Sequence, residues 1–141
     1  MKALVLLLLL AGCTAPAPPR ACGSPVRTDA LPEWARAGFS GDGSGTPHVF
    51  GERGEILAVL FGAPLRSPPA EDRSNKILWV PRAPIEPGSD LTIVATLAGA
   101  DVRAEEKVAP GPSLVDLPRA GCWHLTLAWS GRTDTMDLIY E

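Results

Sequence analysis

Long amphipathic helices, Cys-x-x-Cys pairs and clustered cations are all missing from this sequence, and each absence removes a class of function. Only three cysteines and two histidines, His48 and His124, occur among the 141 residues. Without a Cys-x-x-Cys spacing, thioredoxin-type redox chemistry has no motif. Zinc would want more ligands than Cys122 and His124 supply in sequence, so neither a metal nor a cofactor is expected. Basic side chains number 13 against 16 acidic, a formal net charge of −3. With no basic cluster to meet phosphates, nucleic acid is not an expected partner. The longest apolar run, Ala3 to Ala11, is too short to span a bilayer, which takes roughly 20 apolar residues for a core about 30 Å thick.

What is present begins with an address. Lys2 and the apolar run behind it match the charged and apolar regions of a secretory signal peptide. Leu10-Ala11-Gly12-Cys13 then resembles the lipobox of bacterial lipoproteins. That resemblance implies cleavage before Cys13, a diacylglyceryl group on its sulfur, and a chain held at the cell membrane or outer membrane through the lipid on Cys13. Two acyl chains, at about 0.8 kcal/mol per buried methylene, anchor stably where one does not. The alternative is an ordinary secreted protein with a chance cysteine. Loss of Lys2 would leave 12 basic against 16 acidic side chains, a net charge of −4.

With Cys13 assigned to lipid, Cys22 and Cys122 remain, and two readings of them stand. In an oxidising compartment they pair as a disulfide, which would close a loop of about 100 residues and contribute up to roughly 4.7 kcal/mol. Otherwise they are separate thiols. Residues 13–30 read as a Pro-rich tether, since Thr14 to Pro25 holds little that could build a core and proline favours extended chain.

The remainder, residues 31–141, reads as one β domain. Its share of the 15 prolines and 14 glycines disfavours a helical bundle. Pro32 to Gly38 predicts one helical turn that docks Trp34 and Phe39, and Ser40 to Pro47 a flexible loop. The apolar run Ile56 to Phe61 predicts a strand covered on both faces, and Lys76 to Arg82 a strand that either lies at an edge or ends at Pro81 and Pro84. Ser89 to Leu97 alternates cleanly, Val102 to Val108 reads as a solvated strand, and Cys122 to Ser130 puts Trp123, Leu125, Leu127 and Trp129 on one face. Ser130-Gly131-Arg132 turns the chain into Thr133 to Tyr140, whose inward face the pattern leaves open. Six to eight strands with Gly and Pro turns predict an antiparallel immunoglobulin-like β-sandwich.

The segment Gly121-Cys-Trp-His-Leu-Thr-Leu-Ala-Trp-Ser-Gly-Arg-Thr-Asp-Thr-Met-Asp-Leu-Ile-Tyr140 resembles the C-terminal end of a group of uncharacterised bacterial lipoproteins. Ile56 to Pro69 and Asn75 to Val80 resemble that group too. Members often carry histidine where this chain has Arg132. The resemblance implies an extracytoplasmic β domain and no established activity.

Catalytic signatures are poor. Gly41-Asp42-Gly43-Ser44-Gly45 lacks the spacing and strand-to-helix setting of a nucleophile elbow, and has too few oxygen ligands for calcium. Asp116, Asp134 and Asp137 would supply a carboxylate pair for an envelope hydrolase if folding gathered them in a cleft. More often such residues cap turns and keep strand edges soluble. For recognition, Trp79 offers either a core side chain or an apolar ridge, and the polar loop from Pro64 to Asn75 carries Arg66 and Arg73 beside it. The expectation is a lipid-anchored, noncatalytic module with a binding or structural role, its partner an envelope protein or the cell wall.

Overall fold

The computed structural model describes Ala15 and residues 22–141. The signal peptide expected at residues 1–12, the lipid expected on Cys13 and the rest of the tether before Cys22 lie outside the described residues. Within them, eight strands form two antiparallel four-stranded sheets packed as a sandwich. They are β1 (His48–Phe50), β2 (Ile56–Leu60), β3 (Lys76–Pro81), β4 (Leu91–Leu97), β5 (Arg103–Val108), β6 (Gly111–Leu114), β7 (Gly121–Trp129) and β8 (Arg132–Tyr140). One sheet runs β1-β2-β3-β6 and the other β5-β4-β7-β8. No helix of the described residues is long and apolar enough to cross a membrane.

Alternation builds the main core. Leu91, Ile93 and Ala95 of β4 and Trp123, Leu125, Leu127 and Trp129 of β7 face inward, meeting Val49, Ile56, Ala58, Ile77 and Trp79 of the opposite sheet. On β8 the open choice is resolved: Met136, Leu138 and Tyr140 point into the core. The buried indoles stay hydrogen-bonded, Trp123 to the Arg119 carbonyl at 2.9 Å, Trp79 to the Ser113 hydroxyl at 3.0 Å and Trp129 to the Ala83 carbonyl at 3.3 Å.

Every residue of β2 is buried, because it serves two cores. Ile56, Ala58 and Leu60 face the other sheet, while Leu57 and Val59 meet a second cluster with Leu31 and Ala35. The cover is the segment before β1. A 3₁₀ turn, Glu33–Ala35, starts after Pro32 and sets Trp34 edge-on to Phe50 at 6.5 Å, and Phe39 stacks on Phe61 at 6.2 Å. The stretch 40–47, expected as a flexible loop, is instead a set of bonded turns. Asp42 Oδ1 accepts from the Ser44 amide at 3.0 Å and hydroxyl at 2.7 Å, and Gly43, at φ +74°, passes too close under Leu31 for a side chain.

Of the two readings of β3, the edge position is excluded, because the strand lies between β2 and β6, and the ending at the prolines holds, because Pro81 is its last residue. Pro81 is tolerated at that end, and the ladder resumes when the Arg82 amide donates to the Glu55 carbonyl at 2.8 Å. β1 and β6 were not anticipated as strands; both are short, and Pro112 interrupts the pattern in β6.

Candidate functional site

The β7–β8 hairpin places the chemistry. Ser130 (φ 43°) and Gly131 (φ 73°) make its two-residue turn, and the register counts outward from Trp129↔Arg132 to His124↔Asp137 and Cys122↔Ile139. With the odd positions of β7 in the core, Cys122 and His124 face outward, and Asp137 joins them on that face. The Asp137 amide turns away from β7 to donate to the Ser24 hydroxyl at 2.8 Å. His124 and Asp137 therefore form a non-hydrogen-bonded pair, the kind in which side chains approach most closely. Nδ1 of His124 lies 2.6 Å from Oδ1 of Asp137.

A strap crosses this site from the N-terminal side. Cys22 is joined to Cys122 by a disulfide with Cα atoms 6.0 Å apart. The Gly23 amide reaches Asp137 Oδ2 at 3.4 Å, and at φ +107° a side chain on Gly23 would press on Ile139. Further on, Arg27 exchanges two backbone bonds with His48, at 2.8 and 2.9 Å. Residues 22–30, expected as the end of the tether, thus lie along the domain. The strap covers Asp137, leaving it 7% exposed. It also joins the outer edges of β1 and β8, where it engages the His48 amide and carbonyl and the Asp137 amide, groups that an exposed edge would leave open to another chain. Elsewhere on that edge the Glu52 amide donates to the Thr135 carbonyl within β8, and the Glu141 amide just past its end donates to the Leu65 carbonyl, both at 2.8 Å.

Grooves flank the strap. One, of about 380 Å³, is bordered by Ser24, Arg27, Phe50, Glu52 and Asp137. Another, about 220 Å³ and mainly apolar, is bordered by Val26, Leu60, Leu65, Leu138 and Ile139. Arg27 also lies 5.2 Å over the Phe50 ring and pairs with Asp29, whose carboxyl that bond holds below the usual carboxylate range. Beneath them His48 is fully buried; its Nδ1 lies 2.8 Å from the Thr46 carbonyl and its Nε2 has no hydrogen-bond partner, with Asp29 Oδ1 3.8 Å away.

The three carboxylates weighed for hydrolysis do not share a cleft. Asp134 and Asp137 stand three residues apart on β8, so they point to opposite faces. Asp134, 1% exposed, spends both oxygens on backbone amides: Oδ1 accepts from Arg53 at 2.9 Å and Thr135 at 2.8 Å, and Oδ2 from Glu55 at 2.9 Å. It fastens the β1–β2 turn to β8, and Gly51 is required because a Cβ there would overlap the carboxylate. Asp116 accepts from Asn75 Nδ2 at 2.8 Å and borders a different groove from Asp137.

Of the binding residues anticipated, Trp79 is 3% exposed in the main core and forms no ridge. Its neighbours Leu78 and Val80 take the outer face, under the segment before β1. Arg66 stands exposed, 3.6 Å from Glu141, and Arg73 closes a small turn with Ala70. Their loop is held by buried Asn75, whose side chain bonds the Arg66 amide at 2.9 Å and carbonyl at 2.8 Å. Sequence reasoning set Cys122 beside His124 but grouped Asp137 with the other acids. The signal that pairs it with His124 is the hairpin turn, from which the register follows by counting. Compared with family models, curated proteins and solved structures, the chain matches none.

Proposed function

We propose that this chain is a lipid-anchored, extracytoplasmic module of immunoglobulin-like architecture, noncatalytic, with a binding or structural role at the cell envelope. The observation that carries the reading is the Cys22–Cys122 disulfide, since bridges persist in oxidising compartments and are rare in the cytosol of mesophiles. It agrees with the lipobox-like Leu10-Ala11-Gly12-Cys13 and with the lipoprotein group that the C-terminal segment resembles.

The strand order supports the finer architecture. Taking β3 as strand B, the chain continues through β4, β5, β6, β7 and β8 as C, C′, E, F and G, with B beside E in one sheet and C′-C-F-G in the other. The bridge departs from antibody domains, where the cysteines link strands B and F across the core. Here it fastens the strap to the outer face of β7. Against the carboxylate-pair hydrolase stands the engagement of Asp134 by three backbone amides. The partner is an envelope protein or a cell-wall polymer, and the grooves beside the strap are the surfaces with the relief to receive one.

Fractionation of cells expressing the wild type and Cys13→Ser tests the reading. The wild type is expected in the membrane fraction and released by detergent, while Cys13→Ser loses that anchorage. Equal soluble recovery of both from the cytosol refutes it.

A further inference from the structure

We propose that in its dithiol state the strap junction is a zinc site formed by Cys22, Cys122, His124 and Asp137. Cys122 and His124 alone were too few for a metal in sequence; the fold adds two donors from distant positions. Donor atoms of Cys122, His124 and Asp137 lie within 4.8 Å of one another. The strap brings the Cys22 sulfur to that of Cys122, on Cα atoms 6.0 Å apart. Tetrahedral zinc, with bonds of about 2.3 Å to sulfur and about 2.0 Å to nitrogen or oxygen, holds its ligand atoms roughly 3.3–3.8 Å apart. Reaching those spacings takes rotation of the side chains away from their bridged positions.

Two features point to a cation as well as a bridge. A disulfide requires two sulfurs only, yet here an imidazole and a carboxylate that is 7% exposed converge on the same point. The 2.6 Å hydrogen bond between His124 Nδ1 and Asp137 Oδ1 sets two ligand atoms side by side, where a divalent cation can take the place of the hydrogen between them. Two thiolates and an imidazole select zinc over magnesium or calcium, and a complete set of four protein ligands makes the site structural. Cys22 is exposed, so an ion reaches the site from solvent.

Binding breaks two S–H bonds and the His124–Asp137 hydrogen bond, forms two Zn–S bonds, one Zn–N bond and one Zn–O bond, releases two thiol protons and moves the imidazole proton from Nδ1 to Nε2, with no change of oxidation state. Forming the disulfide takes two protons and two electrons from the same sulfurs and needs an oxidant. The two states exclude each other, and zinc holds the strap on a chain not yet oxidised.

The test uses the full chain, reduced with a phosphine that is then removed, and titrated anaerobically with cobalt(II) and then zinc(II) while far-ultraviolet dichroism follows the sheets. Expected are one ion per chain, a thiolate-to-cobalt charge-transfer band with tetrahedral d–d bands, and no binding by the bridged protein. Asp137→Asn and His124→Gln each weaken zinc binding about 10–100-fold, and zinc slows oxidation of the reduced wild type. If the reduced wild type binds no more tightly than Cys22→Ser/Cys122→Ser, or if Asp137→Asn and His124→Gln bind like wild type, the proposal is overturned. The second result would mean a thiol pair acting alone, and those two variants keep both cysteines, so the comparison holds even if the double serine variant fails to fold.

Discussion

His124 and Asp137 face one another across β7 and β8 with Nδ1 and Oδ1 2.6 Å apart, and the strap is fastened around that contact. Asp137 ties β8 to two elements: to β7 through His124, and to the strap through both the Gly23 amide and the Ser24 hydroxyl. The N-terminal strap and the C-terminal hairpin are thereby one unit.

Replacing Asp137 by alanine leaves the Gly23 amide without its acceptor and His124 without its partner. A loss of about 1–3 kcal/mol is expected, read as a lower urea midpoint with an unchanged slope. A wild-type midpoint would mean that the contact contributes nothing.

The disulfide closes a separation of 100 residues. Cys22→Ser/Cys122→Ser should lower the unfolding free energy by about 2–4 kcal/mol, less than the full chain-entropy value. Hydrogen exchange should localise the change: the Arg27 amide, bonded to the His48 carbonyl, loses more protection than amides in β4. Uniform loss across both would argue that the strap is no separate element.

Asp134→Ala removes the acceptor from three backbone amides, and a cost of about 2–4 kcal/mol is expected. Gly51→Ala should act in the same direction, because its Cβ meets the Asp134 carboxylate. Thermal melts of both variants check this, and unchanged melting would remove Asp134 from its place as the β1–β2 fastener.

Tyr140 is the sole tyrosine, so phenolate absorbance reports it alone. Burial, with the Asp116 charge second, holds its hydroxyl well above the usual phenol range, and that hydroxyl donates to the Val115 carbonyl at 2.8 Å. The folded chain keeps the proton while the unfolded chain loses it near pH of about 10. This contribution to stability is complete below that pH and declines as pH rises above it. Tyr140→Phe should cost about 1 kcal/mol at neutral pH and flatten the alkaline decline. Phenolate appearing near pH of about 10, before unfolding, would contradict the burial argument.

Much of the sandwich was legible because a period of two survives wherever one face is wet: β4, β7 and β8 follow it. The doubly covered β2 was legible for the opposite reason, an unbroken apolar run. β1 escaped because three residues are too few to display a period, and β6 because Gly111 and Pro112 imitate a turn. Trp79 was ambiguous since Ile77, Leu78, Trp79 and Val80 are all apolar, and only the segment before β1, covering Leu78 and Val80, explains why both faces are. The strap is fastened by one serine hydroxyl, one glycine at positive φ, the backbone bonds between Arg27 and His48 and a bridge from 100 residues away. Composition reads such a segment as tether because none of those fastenings is apolar.

The account rests most on lipid at Cys13, and the intact mass of the chain recovered from membranes tests it most directly. The prediction is a protein without residues 1–12 that carries a diacylglyceryl-modified Cys13, and loss of both processing and lipid in Cys13→Ser. A full-length, unmodified mass for the wild type would contradict it.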